Sequence, residues 1–130
     1  MNGTSSIFLE QSPEIVWGAI TNDEHFSIWY APGSKWSISK LEVGGQAVFT
    51  LMPTKYNNLK EDESIEMKFK LIEITYPYVF SYQTENGDML FIFKLTPQNA
   101  GTQVTINMEG FNQSLENLKA YLGGNELPHK

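Results

Sequence analysis

From Trp36 to Met108 apolar and polar residues alternate with a period near two, whereas the segments before and after repeat their apolar positions every three to four residues. A period of two places neighbouring side chains on opposite faces of a strand, and a period near 3.6 gathers them along one side of a helix. The pattern therefore predicts a sheet with helices ahead of it and behind it. A weak alternation around Ile7 and Leu9 adds a first strand. Ser12-Pro13-Glu14 then reads as a helix start, with a side-chain oxygen at the cap, proline where no amide partner is needed and an acid in the first turn. Val16, Ala19 and Ile20 form its buried stripe, flanked by Trp17. A second helix starts at Thr21-Asn22-Asp23 and puts Phe26, Trp29 and Tyr30 on one face. Ala31-Pro32-Gly33 ends it, because the residue before proline is pushed out of helical geometry.

Within the alternating region, Gly44-Gly45 separates "WSISKLEV" from "QAVFTLM", and the polar stretch from Pro53 to Glu61 reads as a mobile loop. In "SIEMKFKLIEITY" the residues Ile65, Met67, Phe69 and Leu71 share one phase, and Ile72 and Ile74 share the other. That slip predicts a bulge near Leu71, which would bend a long strand. After a turn at Tyr76-Pro77, "YVFSYQTE" and "MLFIFKLT" flank Asn86-Gly87-Asp88, a strong hairpin signal. Gln98-Asn99-Ala100-Gly101 turns the chain into "TQVTINME", with Val104, Ile106 and Met108 in phase. Phe111, Leu115, Leu118 and Leu122 then mark one face of a terminal helix closed by Gly123-Gly124. The expected order is one strand, two short helices, about six antiparallel strands and a final helix covering a curved sheet, an α+β arrangement.

At 130 residues the chain suits one domain spanning 1–130. Its charge removes several functions from consideration. Nine lysines face fifteen carboxylates, there is no arginine, and the formal net charge is −6. Nucleic acid and basic-patch membrane binding both want the opposite balance. No apolar run is long enough for membrane insertion, and "MNGTSSIFLEQS" lacks the features of a secretory signal, so a cytoplasmic location is expected. The absence of cysteine agrees with a reducing compartment. On that reading the acceptor patterns at Asn2 and Asn112 are chance matches, and Glu61-Asp62-Glu63 lacks the spacing of a calcium loop.

Catalytic chemistry has little to draw on. The two histidines are His25, in a helix turn where a surface or capping role is expected, and His129, next to last and expected to be disordered. Neither zinc-ligand spacing nor a phosphate-cradling glycine loop is present, so no metal, cofactor or enzymatic activity is expected. What stands out instead is eight phenylalanines, six tyrosines, three tryptophans and five methionines. They can simply fill the core. Alternatively, a bent sheet crossed by one helix leaves an apolar pocket lined by Trp29, Trp36, Met52, Phe69, Tyr82, Phe91, Leu118 and Tyr121, with Tyr82 and Tyr121 as polar handles.

The segments "SPEIVWGAITNDEHFSIWYAP", "LEVGGQAVF", "YVFSYQT", "FKLTPQNAGTQVTI" and "LENLKAYL" together resemble the family of activator of heat-shock-protein-90 ATPase homologues, a branch of the START-like (SRPBCC) superfamily. The resemblance covers nearly the whole chain. It implies a helix-grip fold, also described as Bet v 1-like, in which a seven-stranded antiparallel sheet grips a C-terminal helix around a cavity for small hydrophobic or lipid-like molecules. It also implies that the tryptophan-rich helices close one end of that grip, with Trp29 the nearer to a ligand. Relatives usually carry an extra stretch before the last helix, often ending in Gly-Trp. Here Met108-Glu109-Gly110-Phe111 replaces it, with Phe111 standing in for the tryptophan, and the shortened lid leaves apolar surface that a second copy in a homodimer would cover. The expected function is non-enzymatic binding of a small apolar or aromatic ligand, in a sensor, carrier or stress-related role. Two alternatives stand beside it: a co-chaperone contacting the ATPase, although the separate N-terminal domain used in eukaryotes has no counterpart in this chain, and a cyclase or hydrolase as found elsewhere in the superfamily.

Overall fold

The computed structural model describes residues 3–53 and 59–129. Asn2 and most of the polar stretch expected to be a mobile loop lie outside them. Strand β1 (Ser5–Leu9) leads into helix α1 (Pro13–Thr21), whose Ser12 cap accepts the Ile15 amide. Asn22 ends α1 and caps helix α2 (Asp23–Tyr30), its side chain accepting the amides of Glu24 and His25. These side-chain acceptors serve amides that have no partner inside their own helix. The chain then forms β2 (Lys35–Ile38), β3 (Gln46–Leu51), β4 (Ile65–Thr75), β5 (Val79–Thr84), β6 (Leu90–Gln98) and β7 (Gly101–Ile106) before helix α3 (Asn112–Leu122). Gly124, at φ +74°, lets the chain leave α3 while the Asn125 amide reaches back to the Ala120 carbonyl at 2.8 Å.

All neighbouring strands pair antiparallel in one seven-stranded sheet ordered β1-β7-β6-β5-β4-β3-β2. The first two strands in sequence are thus the two edges of the sheet. The α1–α2 pair makes the connection between them, α1 touching β6 and β7 and α2 touching β2. The expected bulge is present: the β4–β5 register shifts between Leu71 and Glu73. At that point the Leu71 amide donates to the Gly45 carbonyl, and the Leu71 carbonyl accepts from Gly44, both at 2.8 Å, so the turn before β3 prolongs the ladder into the bend. The hairpin at Asn86-Gly87 also forms, with Gly87 at φ +80°.

Three local expectations differ from the structure. The strand read in "WSISKLEV" stops at Ile38, because the Glu42 amide bonds the Lys40 carbonyl and Gly45 bonds Glu42, curling residues 40–45 into turns that leave Leu41 and Val43 exposed. Ile65 and Met108 share the phase of their strands, yet Ile65 is exposed and β7 ends at Ile106. His129 is fastened rather than loose. Its amide donates to Asn117 Oδ1 at 2.9 Å, its carbonyl accepts from Asn117 Nδ2 at 2.8 Å, and its ring meets Glu116 at 2.6 Å.

The core lies between the concave sheet face and the helices. It includes Leu9, Ile20, Leu71, Phe80, Phe93, Leu95, Val104, Ile106, Leu115 and Leu118. Gly45 permits the close approach at the bend: a Cβ there would run into the Lys40 carbonyl oxygen and sit 2.9 Å from that of Glu42. Gly45→Ala is expected to lower unfolding stability by about 1–3 kcal/mol, the usual cost of forcing extra volume into a packed position, as read by chemical denaturation.

Candidate ligand site in the aromatic interior

Helix α2 carries Phe26, Trp29 and Tyr30 on one face, and that face is pressed against β2. The Phe26 ring stacks on Trp36 with centroids 4.7 Å apart and planes 9° from parallel. From Trp36 the rings continue across the sheet: Phe69 and Tyr82 lie 5.4 Å from it, and Tyr82 stacks on Phe91 at 5.0 Å. Phe111 closes the array, 5.9 Å from Tyr30 and 6.1 Å from Phe91. Each contact falls in the range where aromatic pairs attract beyond simple burial.

Polar atoms within this array fare differently. Trp29 Nε1 donates to the Ala19 carbonyl at 2.9 Å. By contrast, Trp36 Nε1 and the Tyr82 hydroxyl are buried and have no hydrogen-bond partner in the protein. Leaving a buried donor unpaired costs about 1–3 kcal/mol. A Tyr30–Tyr82 side-chain hydrogen-bond interaction contributes to the ionisation of both phenols, although the contact falls outside strict hydrogen-bond geometry. Burial, the dominant cause, raises Tyr30 to about 12 and pushes Tyr82 well above its ordinary value of 10. Both phenols therefore remain neutral donors at physiological pH.

Polar contacts also hold the cover. Ser114 Oγ donates to the Tyr30 carbonyl at 2.7 Å, Asn117 Nδ2 to the Trp29 carbonyl at 3.3 Å, and the Tyr121 hydroxyl pairs with His25 Nδ1. Residues 114, 117 and 121 fall on one stripe of α3, so the seam between α2 and α3 is a row of hydrogen bonds. Outside this seam, Ile15, Gly18, His25, Tyr121 and Leu122 border an open groove of about 500 Å3.

Six of the eight residues expected to line a pocket come together: Trp29, Trp36, Phe69, Tyr82, Phe91 and Leu118 are all in the buried core. Two stand apart. Met52 follows β3 and is 38% exposed, its amide donating to Ser34 Oγ, while Tyr121 is half-buried beside His25. Six rings missed in that set, Phe26, Tyr30, Phe49, Phe80, Phe93 and Phe111, belong to the same array. Phe26 and Tyr30 share the helical spacing of Trp29, and Phe93 shares the strand phase of Phe91, so the signal for three of them was present in the periodicity. No buried Asp, Glu, Lys or His occurs among the described residues, nor any cluster of three metal-ligating side chains.

A family model for "Activator of Hsp90 ATPase homolog 1-like protein" matches residues 10–127. The chain belongs to this family. Solved structures of similar shape include a Nitrosomonas europaea protein, 19% identical with a TM-score of 0.74 over 95% of each chain. An AHSA1-like protein from Aeromonas hydrophila is 20% identical, with a TM-score of 0.71 over 100% of this chain and 97% of that one. A Chromobacterium violaceum protein is 20% identical, with a TM-score of 0.68 over 95% of this chain and 89% of that one. At such identities the likeness concerns the fold, and it agrees with the helix-grip arrangement of sheet and C-terminal helix. No curated protein matches the chain. Among the described residues no helix is long and apolar enough to cross a membrane.

Two outcomes follow from the buried phenols. Tyr82→Phe keeps the ring contacts and removes an unpaired hydroxyl, so unfolding stability is expected to rise by about 1 kcal/mol or more. In the alkaline range the unfolded tyrosines ionise at their ordinary value of 10, whereas folded Tyr30 holds its proton to about 12. Its contribution is therefore complete below pH 10 and is lost as pH rises towards 12. Denaturation midpoints across that window should fall with pH, and less steeply in Tyr30→Phe.

Proposed function

We propose that the protein binds a small apolar or aromatic molecule in its ring-lined interior and does so without catalysis. The observation that carries this reading is the unpaired Trp36 Nε1 and Tyr82 hydroxyl inside an otherwise apolar array. Apolar walls with a few convergent polar groups are the usual make-up of a small-molecule site. Phenylalanine in place of Tyr82 would remove that hydroxyl's penalty and keep the ring contacts, so the polar atom makes sense as a handle for a guest. The charge distribution argues against acid–base work there, since the interior holds neutral phenols and an indole but no buried carboxylate, lysine or histidine among the described residues. Entry follows the seam between α2 and α3, whose hydrogen bonds water can replace at small net cost.

The three tryptophans report on different places, which makes the test direct. Trp17 packs against Tyr76 and Phe80, while Trp29 and Trp36 belong to the ring array around Phe26. Titration with the neutral fluorophore N-phenylnaphthylamine should give saturable binding with one molecule per chain, moving the indole resonance of Trp36 most and that of Trp17 least. Absence of saturable binding, or movement confined to Trp17, would exclude the interior as a site. A co-chaperone would behave differently, engaging an ATPase through its outer surface whether or not the interior is filled.

A further inference from the structure

Ser114, Asn117 and Tyr121 tie α3 to α2, and Asn117 has a further attachment. Asn117 is 1% exposed, and its side-chain amide serves two pieces of chain that are far apart in sequence. Nδ2 donates to the Trp29 carbonyl at 3.3 Å and to the His129 carbonyl at 2.8 Å, while Oδ1 accepts the His129 amide at 2.9 Å. An asparagine NH2 carries two hydrogens, so both are in use. The backbone of residue 129 therefore decides which way this amide faces: its N–H must meet Oδ1, which turns Nδ2 towards the two carbonyls. The bond to α2 is the longest of the three, so the tail orients the amide and α2 is held by the result.

The tail itself is lightly buried. Gly124, at φ +74°, turns the chain back after α3 until residue 129 is level with Asn117. Leu127 and His129 are half-buried, whereas Asn125, Glu126 and Pro128 are exposed, and the His129 ring meets the solvent-exposed Glu116 at 2.6 Å. A segment so little buried opens at lower cost than the sheet. With the tail away, the amide loses two of its three bonds, and an amide free to rotate holds the Trp29 carbonyl only part of the time. Helix α2 in turn covers the edge of the sheet, since Ser27 Oγ accepts the Trp36 amide and Asp23 Oδ2 that of Ile38. We infer that residues 125–129 form a releasable strap that holds α2 on α3 through Asn117, so that freeing the tail loosens the α2–α3 seam and the cover of β2 together. The strap operates whether or not the interior holds a guest.

Native-state hydrogen exchange on the full chain, followed by NMR, reads this coupling at a distance from the tail. His129→Pro removes the amide hydrogen and puts a ring carbon where it pointed, whereas His129→Ala removes the imidazole and keeps both backbone bonds. Residue 129 is outside the core, so both variants are expected to fold. In His129→Pro the amides of Trp29, Tyr30, Trp36 and Ile38 should exchange about three- to tenfold faster than in the wild type, the effect of weakening one hydrogen bond. Amides in the middle of β5 and β6 should keep their wild-type rates. His129→Ala should stay within about twofold of the wild type, because a solvent-exposed ion pair contributes little. Faster exchange confined to the tail, with the α2 and β2 amides unchanged, would overturn the strap. An equal rise at the β5 and β6 amides would overturn it as well, since the loss would then be global. If His129→Ala loosens α2 as much as His129→Pro does, the Glu116 contact holds the tail and the assignment to Asn117 fails. These rates are read without any ligand, so the strap and the binding function can fail separately.

Discussion

The stacking of Phe26 on Trp36 joins helix α2 to the edge strand β2, and backbone bonds beside it make the same junction. The outward amides of β2 would otherwise face solvent as an open edge. Ser27 Oγ accepts that of Trp36 at 2.8 Å, and Asp23 Oδ2 accepts that of Ile38 at 2.9 Å, two acceptors one helical turn apart meeting donors two residues apart on a strand. An edge covered in this way is protected from pairing with another chain. The same junction determines where the rest of α2 goes: its remaining rings must point over the sheet, and its C-terminal carbonyls fall within reach of Ser114 and Asn117 on α3. Enclosure of the aromatic interior follows from this attachment.

Within that enclosure the contrast between two tryptophans is informative. Trp29, on the helix, has a carbonyl provided for it by Ala19, and Trp36, on the strand, has none. Natural cores seldom retain buried donors without partners, since each is a direct loss of stability. A second unpaired group on the adjoining ring, Tyr82, makes an accidental defect a poor description of the region. On the binding reading proposed above, the stability cost of the pair would be offset when a guest binds.

Much of this arrangement could be read from residue order, because its causes are local. The phase change at Leu71, the turn residues Asn86-Gly87, and the spacing of Phe26, Trp29 and Tyr30 each depend on a few neighbouring positions, and all three have the expected structural outcome. The features that eluded sequence reasoning depend on distant partners. His129 is ordered because Asn117 presents an amide to its backbone, a match that terminal position alone cannot reveal. Tyr121 has helical spacing compatible with the core, yet its hydroxyl turns to His25 on another helix. Met52 follows β3 in alternation, but the strand ends at Leu51 and the ring array with it. Which ring nitrogen lacks an acceptor is likewise decided by helix placement and not by composition.

The account stands or falls on whether the interior receives a guest in its own cell. Native mass spectrometry of the protein purified gently from its own host, followed by organic extraction, asks that question without choosing a probe. The account predicts a mass excess corresponding to one small apolar or aromatic molecule per chain, released into the organic phase and absent after Trp36→Phe/Tyr82→Phe substitution. The bare chain mass, unaltered between wild type and variant, would contradict it and leave the aromatic array as packing alone.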